Sequence, residues 1–230
     1  GREPTRNDMF AGSDNIDDAN YDNVSDFKKV KPEKVLDIEG GVKFTAEKLK
    51  GNVNFFSMNF TNEIAAIGQL SYIGLPLRKN IKSSYRRGVE ISVDIPLAKD
   101  VTFNAQAVIS TNKIKEYFTE YDTTTYHNVE PLLTPKIVSN HSIHYTVKPW
   151  LTFSLTGRYL DRSYLDNTNN TNFTTPSSYV INASSTIQIR KKIIVTLMAN
   201  NLANQKYYTS GYVVNGESNY FAMALRNYFV

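Results

Sequence analysis

Short and long connections alternate between the apparent β-strands along almost the whole chain. The short links lie at 47–51, 98–100, 148–150 and 190–192. The long, polar links cover 11–32, 65–83, 114–134, 163–177 and 203–218. In an antiparallel meander this alternation places every long link at the same end of the sheet. Such an asymmetry is typical of a membrane-spanning barrel, which has tight turns on one side of the bilayer and long loops on the other.

Apolar and polar side chains alternate with a period of two in the segments between these links. The clearest case is 89–95, where the alternation has no exception and predicts one apolar and one polar face. Alternation alone does not decide whether the apolar face meets lipid or a protein core. Apolar faces are predicted from Leu36, Ile38, Val42 and Phe44; Phe56, Met58 and Phe60; Val101, Phe103, Ala105, Ala107 and Ile109; Ile143, Tyr145 and Val147; Leu151, Phe153, Leu155 and Tyr159; Ile181, Ala183, Ile187 and Ile189; Val195, Leu197 and Ala199.

The lengths of the alternating segments favour the membrane. We predict about eight strands of roughly 10–16 residues, with a ninth beginning near Phe221, whereas ordinary strands have about 5–6 residues. A tilted strand needs ~9–11 residues to cross a bilayer. Fifteen tyrosines and twelve phenylalanines would also suit the aromatic girdles of a membrane barrel.

Composition excludes several classes of protein. The 230 residues contain no cysteine, which argues against a disulfide-stapled module, thiolate metal sites and thiol catalysis. A net charge of +4 is mild, and no basic run is present that would follow nucleic acid phosphates. No stretch approaches the ~20 apolar residues of a membrane-spanning helix.

Catalytic and metal-binding patterns are also missing from the sequence. The three histidines have no metal-ligand spacing with a carboxylate partner, and no nucleophile elbow surrounds any serine. The acidic segment 14–22 offers oxygen ligands for calcium but lacks the order of an EF-hand loop, so a solvated loop is the preferred interpretation. We expect neither an enzyme nor a resident cofactor or metal.

Six motifs in consistent order resemble the barrel of TonB-dependent outer-membrane receptors. One of them, Tyr85-Arg86-Arg87-Gly88-Val89-Glu90, is similar to the Y-R-x-G-x-E pattern of that family. The others lie at 2–8 with 31–34, 55–64, 159–167, 200–208 and 225–229. The resemblance covers nearly the whole chain.

The resemblance implies that residues 1–230 are the C-terminal part of a transmembrane, antiparallel, up-and-down β-barrel of about 22 strands. About nine of those strands would lie in this all-β chain. It also implies a location in the outer membrane. The expected partners are outer-membrane lipid, the remaining barrel strands, an N-terminal plug domain and the TonB–ExbB–ExbD energy complex. Because the sequence shows no signal peptide, plug or TonB-docking box, we expect the chain to be a piece of a longer receptor.

The function implied by the resemblance is energy-dependent uptake of a scarce nutrient. The ligand would be an iron–siderophore, haem, cobalamin or an oligosaccharide. Aromatic and basic residues of the external links are candidate ligand contacts, although packing between loops would explain the aromatic residues as well. These candidates are Tyr72, Arg78, Tyr117, Phe118, Tyr121, Tyr126 and His127. Glu90, Asp94 and Arg158 are expected to face the plug inside the barrel.

Two other functions stay open from the sequence. A barrel without a plug could act as a binding or structural component of a larger envelope assembly. A soluble, glycan-binding β-sandwich would instead require the apolar faces to form an internal core.

Overall fold

The computed structural model describes residues 1–5, 8, 30–70, 74–119, 123–190 and 192–230. Within these ranges no helix has the length and apolar character needed to cross a membrane. Fourteen β-strands are present in the described residues: β1 (Lys34–Ala46), β2 (Leu49–Leu70), β3 (Pro76–Ala98), β4 (Val101–Phe118), β5 (Thr125–Val129), β6 (Ile137–Lys148), β7 (Leu151–Leu160), β8 (Ser163–Tyr164), β9 (Thr174–Thr175), β10 (Ser178–Arg190), β11 (Ile193–Asn200), β12 (Tyr208–Val214), β13 (Glu217–Ala222) and β14 (Asn227–Phe229).

Ten of these strands form one antiparallel sheet. Its order is β1-β2-β3-β4-β6-β7-β10-β11-β14, and β5 pairs with the far end of β4. Along this order each strand pairs with the next one in the chain that belongs to the sheet, which confirms the predicted up-and-down meander. Among the described residues the sheet does not close on itself, since β1 and β14 each have a neighbour on one side only.

The two ends of the sheet differ as the sequence predicts. Two-residue turns at 47–48, 99–100 and 149–150 lie at one end, which we call the turn edge. The longer connections lie at the other end, the loop edge. One expectation is wrong in detail, because β2 and β3 extend to 22 and 23 residues and most of the predicted link 65–83 is strand. Continuous pairing of β2 with β3 as far as Ala66 opposite Arg78 keeps these polar extensions in the sheet.

Cross-strand register shows that the sheet has one apolar and one polar face, because residues directly opposite each other project to the same side. One continuous apolar row consists of Ile95, Phe103, Ile143, Leu155, Ala183, Ala199 and Tyr228. The adjacent polar row consists of Asp94, Asn104, Ser142, Thr156 and Asn182. The apolar side chains are uncovered, with Leu155 46% exposed. Such a face is suited to contact with hydrocarbon rather than water.

The alternation of β2 was assigned to the wrong faces from sequence. Phe56 lies opposite Glu39 and Gly88, so that Phe56, Met58 and Phe60 belong to the polar face. On the apolar face β2 instead carries Val53 and Phe55, followed by Ser57, Asn59 and Thr61. The physical reason is packing, since the Phe56 ring covers the bare backbone of Gly88 in the neighbouring strand.

Aromatic rings cover two further glycines in the same manner. Phe44 lies over Gly51 across the β1–β2 pair, and Tyr179 lies over Gly157 across the β7–β10 pair. In each case a Cβ atom on the glycine would collide with the ring. These contacts replace the missing side chain and help to fix the register of each pair.

The ninth strand in the order of the large sheet, β14, also differs from the prediction. Phe221 lies in β13, which forms a separate hairpin with β12, and the wall resumes only at Asn227. Asn201 joins the two ends of the segment that contains this hairpin, because its side chain forms hydrogen bonds with the backbone of Gln205 and with the Ala224 carbonyl. The hairpin thus rises from the loop edge as an insertion between β11 and β14.

A buried apolar cluster lies at the loop edge. Ile81, Ile114, Tyr117 and Val129 form it, where β3, β4 and β5 extend beyond the rest of the sheet. Leu165 is a second buried anchor, since it lies against Gly68 of β2 and Gly211 of β12. The connections at this edge are therefore packed against one another and against the sheet.

Candidate ligand and plug contact surfaces

A cleft with a volume of about 490 Å³ lies at the loop edge. It is bounded by the start of the chain, the outer ends of β2 and β3 and the segment after β5. Its lining is mostly polar and includes Arg2, Glu33, Phe60, Glu63, Arg78, Arg86, Thr134 and Asn167. Charged groups of both signs thus converge on one concave surface.

Glu63 organises the wall of the cleft. Its side chain is buried, with the residue 6% exposed. The Ser84 hydroxyl donates to one carboxylate oxygen and the Arg86 guanidinium to the other. Arg86 also lies 4.4 Å above the centre of the Phe60 ring. Asn62, immediately before Glu63, has a φ of 55°, a left-handed conformation that twists the strand where Glu63 turns toward Ser84 and Arg86.

Asp8 ties the start of the chain to the first residues of β3. It accepts hydrogen bonds from the Thr5 amide (2.9 Å) and the Thr5 hydroxyl (2.8 Å). Arg2 and Arg78 pair with its two oxygens at 3.2 and 3.3 Å. Burial by itself raises the pKa of the Asp8 carboxyl, but these hydrogen bonds and the charge of Arg2 outweigh burial, so that the pKa lies below its ordinary value.

Two asparagines hold the opposite side of the cleft. Asn167 is almost fully buried; it donates to the Ala66 carbonyl (2.9 Å) and accepts from the Leu132 amide (2.8 Å). Asn169 accepts a hydrogen bond from the Glu130 amide and donates one to the Glu130 carbonyl. The segment after β5 is thereby fixed to both β2 and the loop between β7 and β10.

The predicted aromatic ligand contacts occupy different environments. Tyr117 is only 5% exposed in the apolar cluster, and burial raises the pKa of its hydroxyl. Tyr126 packs against the same cluster, whereas Phe118 and His127 are exposed. A role of these residues at a ligand surface stays a prediction. The remaining two, Tyr72 and Tyr121, lie outside the described residues.

The predicted basic contact and the predicted plug contacts lie at separate places. Arg78 lines the cleft. Glu90, Asp94 and Arg158 lie on the polar face of the sheet, within β3 and β7 and outside the lining of the cleft. Asn104 donates to Asp94 from the next strand. The structure thus separates a charged cleft at the loop edge from the polar wall below it.

Sequence reasoning missed most of the cleft. Arg2, Asp8, Glu63 and Arg86 all lie in segments that carry the family motifs, which was the available signal. Their pairing was hidden because Asp8 and Arg78 are 70 residues apart in the chain. Asn167 also closes the motif 159–167, but its burial was not predicted, since an asparagine in a loop is usually solvated.

The described residues contain no group of three or more histidine, aspartate or glutamate side chains placed to hold a metal ion. The acidic segment 14–22 lies outside the described residues.

An antiparallel meander with an uncovered apolar face, a polar face and all its long connections at one edge defines the wall of a membrane β-barrel. The chain belongs to the TonB-dependent receptor family, because the family model described as "TonB dependent receptor-like, beta-barrel" matches residues 1–202. Proteins of this family are located in the outer membrane. No curated relative matches the chain by sequence.

Solved structures show the same fold. The ferric yersiniabactin uptake receptor FyuA from Yersinia pestis has a TM-score of 0.67 at 15% identity, over 85% of this chain and 29% of that one. The ferric citrate transporter FecA has a TM-score of 0.66 at 17% identity, over 86% and 30%. The copper transporter OprC has a TM-score of 0.71 at 14% identity, over 99% and 34%. The chain therefore spans about a third of the length of these similar proteins.

Proposed function

We propose that the receptor containing this chain takes up a scarce nutrient across the outer membrane, driven through TonB. The observation that carries this proposal is the placement of a polar, charged cleft at the loop edge of a wall whose outer face is apolar. Membership of the TonB-dependent family supports the energy coupling. The names of the similar structures, a ferric yersiniabactin receptor, a ferric citrate transporter and a copper transporter, support nutrient uptake.

The exposed charges of the cleft favour an oxygen-rich ligand. In each ion pair the cation is the more accessible partner: the Arg78 side chain is 40% exposed and its partner Asp8 only 1%. Arg86 is likewise more accessible than Glu63. Guanidinium groups bind carboxylate and related oxygens through several donors at once. An iron–siderophore fits this chemistry best among the four nutrient classes, and Arg78 would be one of its contacts.

Below the cleft, the polar face would contact the plug. Glu90, Asp94 and Arg158 lie within strands of the wall and not in its connections, so we assign them to the plug rather than to the ligand. The TonB–ExbB–ExbD complex would act on the plug from the turn edge.

An uptake assay in cells tests this proposal. The full-length receptor is expressed in a strain lacking its other siderophore receptors, and uptake of labelled iron–siderophores is measured with and without TonB. We expect TonB-dependent uptake of at least one compound and a weaker apparent affinity for the Arg78→Gln variant. The exposed Lys206, outside the cleft, gives the matched control Lys206→Gln.

Two results would contradict the proposal. Uptake that continues unchanged without TonB would remove the energy coupling. Surface binding with no uptake of any compound would favour the other candidate, a barrel that serves as a binding or structural component of an envelope assembly.

A further inference from the structure

A basic patch lies on the apolar face of the sheet near the loop edge. It consists of Tyr85, Arg87, Lys113 and Lys136, and we call it the outer basic patch. Arg87 lies opposite Ser57 of β2 and Thr111 of β4, in the strand that carries Val89 and Ile91 on the same face. Tyr85 lies opposite Lys113. The apolar face thus ends here in cations rather than in further apolar residues.

The height of Arg87 matches the membrane surface. Leu97 begins the apolar side of β3 beside the turn edge and is 58% exposed. Ten residues of strand separate it from Arg87, which is about 33 Å along the strand and about 25 Å along the membrane normal at a tilt of ~40°. The apolar band of a barrel is about 25 Å tall. Arg87 therefore lies at the level of the lipid headgroups.

The charge of the patch is not balanced by the described residues. Arg87 is exposed, and its recorded contact is with the Tyr85 ring, 4.7 Å from the ring centre. Within the described ranges no carboxylate forms an ion pair with it. Lys113 and Lys136 share a single carboxylate, Glu130, at 3.3 and 2.8 Å. Three cations thus stand against one anion.

Apolar surface borders the patch at the same height. Leu36 and Ile38 of β1 lie opposite Asn59 and Ser57, and both are 62% exposed. A molecule that fills this position would meet cations at one end and an apolar wall beside them. A lipid with an anionic headgroup has this arrangement, since its acyl chains lie along the wall.

We propose that the outer basic patch binds a phosphate group of an outer-leaflet lipid, with Arg87 as the principal contact. Lys113 lies on the diagonal from Arg87, about 7–8 Å away between Cα atoms, a spacing that lets both side chains reach one phosphate. Tyr85 holds the guanidinium plane at the interface, where aromatic side chains are favoured. This lipid site does not depend on which nutrient the receptor carries.

Lipid retention measured by native mass spectrometry tests the proposal. The full-length receptor is reconstituted in phosphatidylcholine nanodiscs that contain lipid A, released into detergent and weighed with its bound lipid. We expect lipid A to stay bound to the wild type, and binding to the Arg87→Gln variant to be about fivefold weaker, the effect of one basic residue at a lipid surface. Arg190→Gln is the matched control, because Arg190 is exposed near the turn edge.

The folded state of each variant is checked by its heat-modifiable migration in gels. Equal lipid A retention by the wild type and Arg87→Gln would overturn the proposal. It would also be overturned if millimolar inorganic phosphate displaced the lipid completely, which would mean a soluble anion site. A third contrary result is a dimer cross-linked through position 87 without bound lipid, because a second copy would then cover the patch.

Discussion

The two halves of the sheet present different outer surfaces. From β7 to β10 the apolar face continues up to Tyr159 and Tyr179 near the loop edge. On β2 and β3 the apolar face ends at Phe55 and Val89, and Ser57 and Arg87 follow them toward the loop edge. β2 also carries Phe56 and Phe60 on the polar face. The comparison shows that β7 to β10 form a plain membrane wall, apolar on the outer face up to its end. In contrast, β3 carries the basic Arg87 on the outer face and β2 carries aromatic side chains on the polar face.

The largest expected effect is a charge placed in the plain wall. Leu155→Arg puts a guanidinium on the apolar face in the middle of the row that contains Ile143 and Ala183. We expect unfolding of the full-length receptor in lipid vesicles to become easier by about 2–4 kcal/mol, measured by denaturant titration. Thr156→Arg, one residue away on the polar face, is the control and should cost far less. Equal costs for both variants would mean that lipid does not cover this face.

A second pair of substitutions tests the inverted faces of β2. Phe55→Arg should cost about 2 kcal/mol or more in the same titration, because Phe55 lies on the lipid-facing side. Phe56→Arg should cost less, since its side chain projects to the polar face and loses mainly the contact with Gly88. The alternation of the sequence alone predicts the opposite order. Because this chain has no cysteine, labelling of single cysteines at 55 and 56 by a polar thiol reagent gives an independent measure.

A smaller effect is expected where the polar face of β2 and β3 reaches the cleft. Glu63→Gln keeps the shape of the side chain but removes the charge that Arg86 and Ser84 contact. We expect a loss of about 1–3 kcal/mol from the weakened, buried hydrogen bonds. Glu116→Gln, on an exposed residue of β4, is the control and should stay within about 0.5 kcal/mol of the wild type. An unchanged stability of Glu63→Gln would show that the ion pair between Glu63 and Arg86 does not stabilise the fold around the cleft.

The smallest effect concerns the tether at Asp8 and depends on pH. The pKa of Asp8 is lowered in the folded state, so its carboxylate stabilises the fold above the ordinary value of 3.8 and this contribution is lost as the pH falls through the lowered pKa. Asp8→Asn should therefore cost about 1 kcal/mol near neutral pH and progressively less as the pH falls below 3.8. Denaturant titrations of both proteins at neutral pH and at a series of pH values below 3.8 measure the difference. A cost that does not change with pH would contradict the assignment.

The sequence was enough to predict the class of fold and that the long connections lie at one edge of the sheet. The lengths of the links gave the meander and its two edges, and the period of two gave two chemically different faces. It placed Glu90, Asp94 and Arg158 together on the polar face because the alternation around them is regular. The cleft was not predictable, since its ion pairs join Arg2 and Arg78 to Asp8 and Arg86 to Glu63 across different segments.

What the sequence determined by itself is local: where strands run, where turns fall and which residues alternate. The tertiary structure decided which side of each strand meets lipid, because a pattern of period two is unchanged when a strand is turned over. Only pairing with β1 and β3 fixed the orientation of β2, and only the hairpin of β12 and β13 moved the ninth strand from Phe221 to Asn227. Backbone register and contacts between distant segments supply that information, and neither is written in the order of residues along one strand.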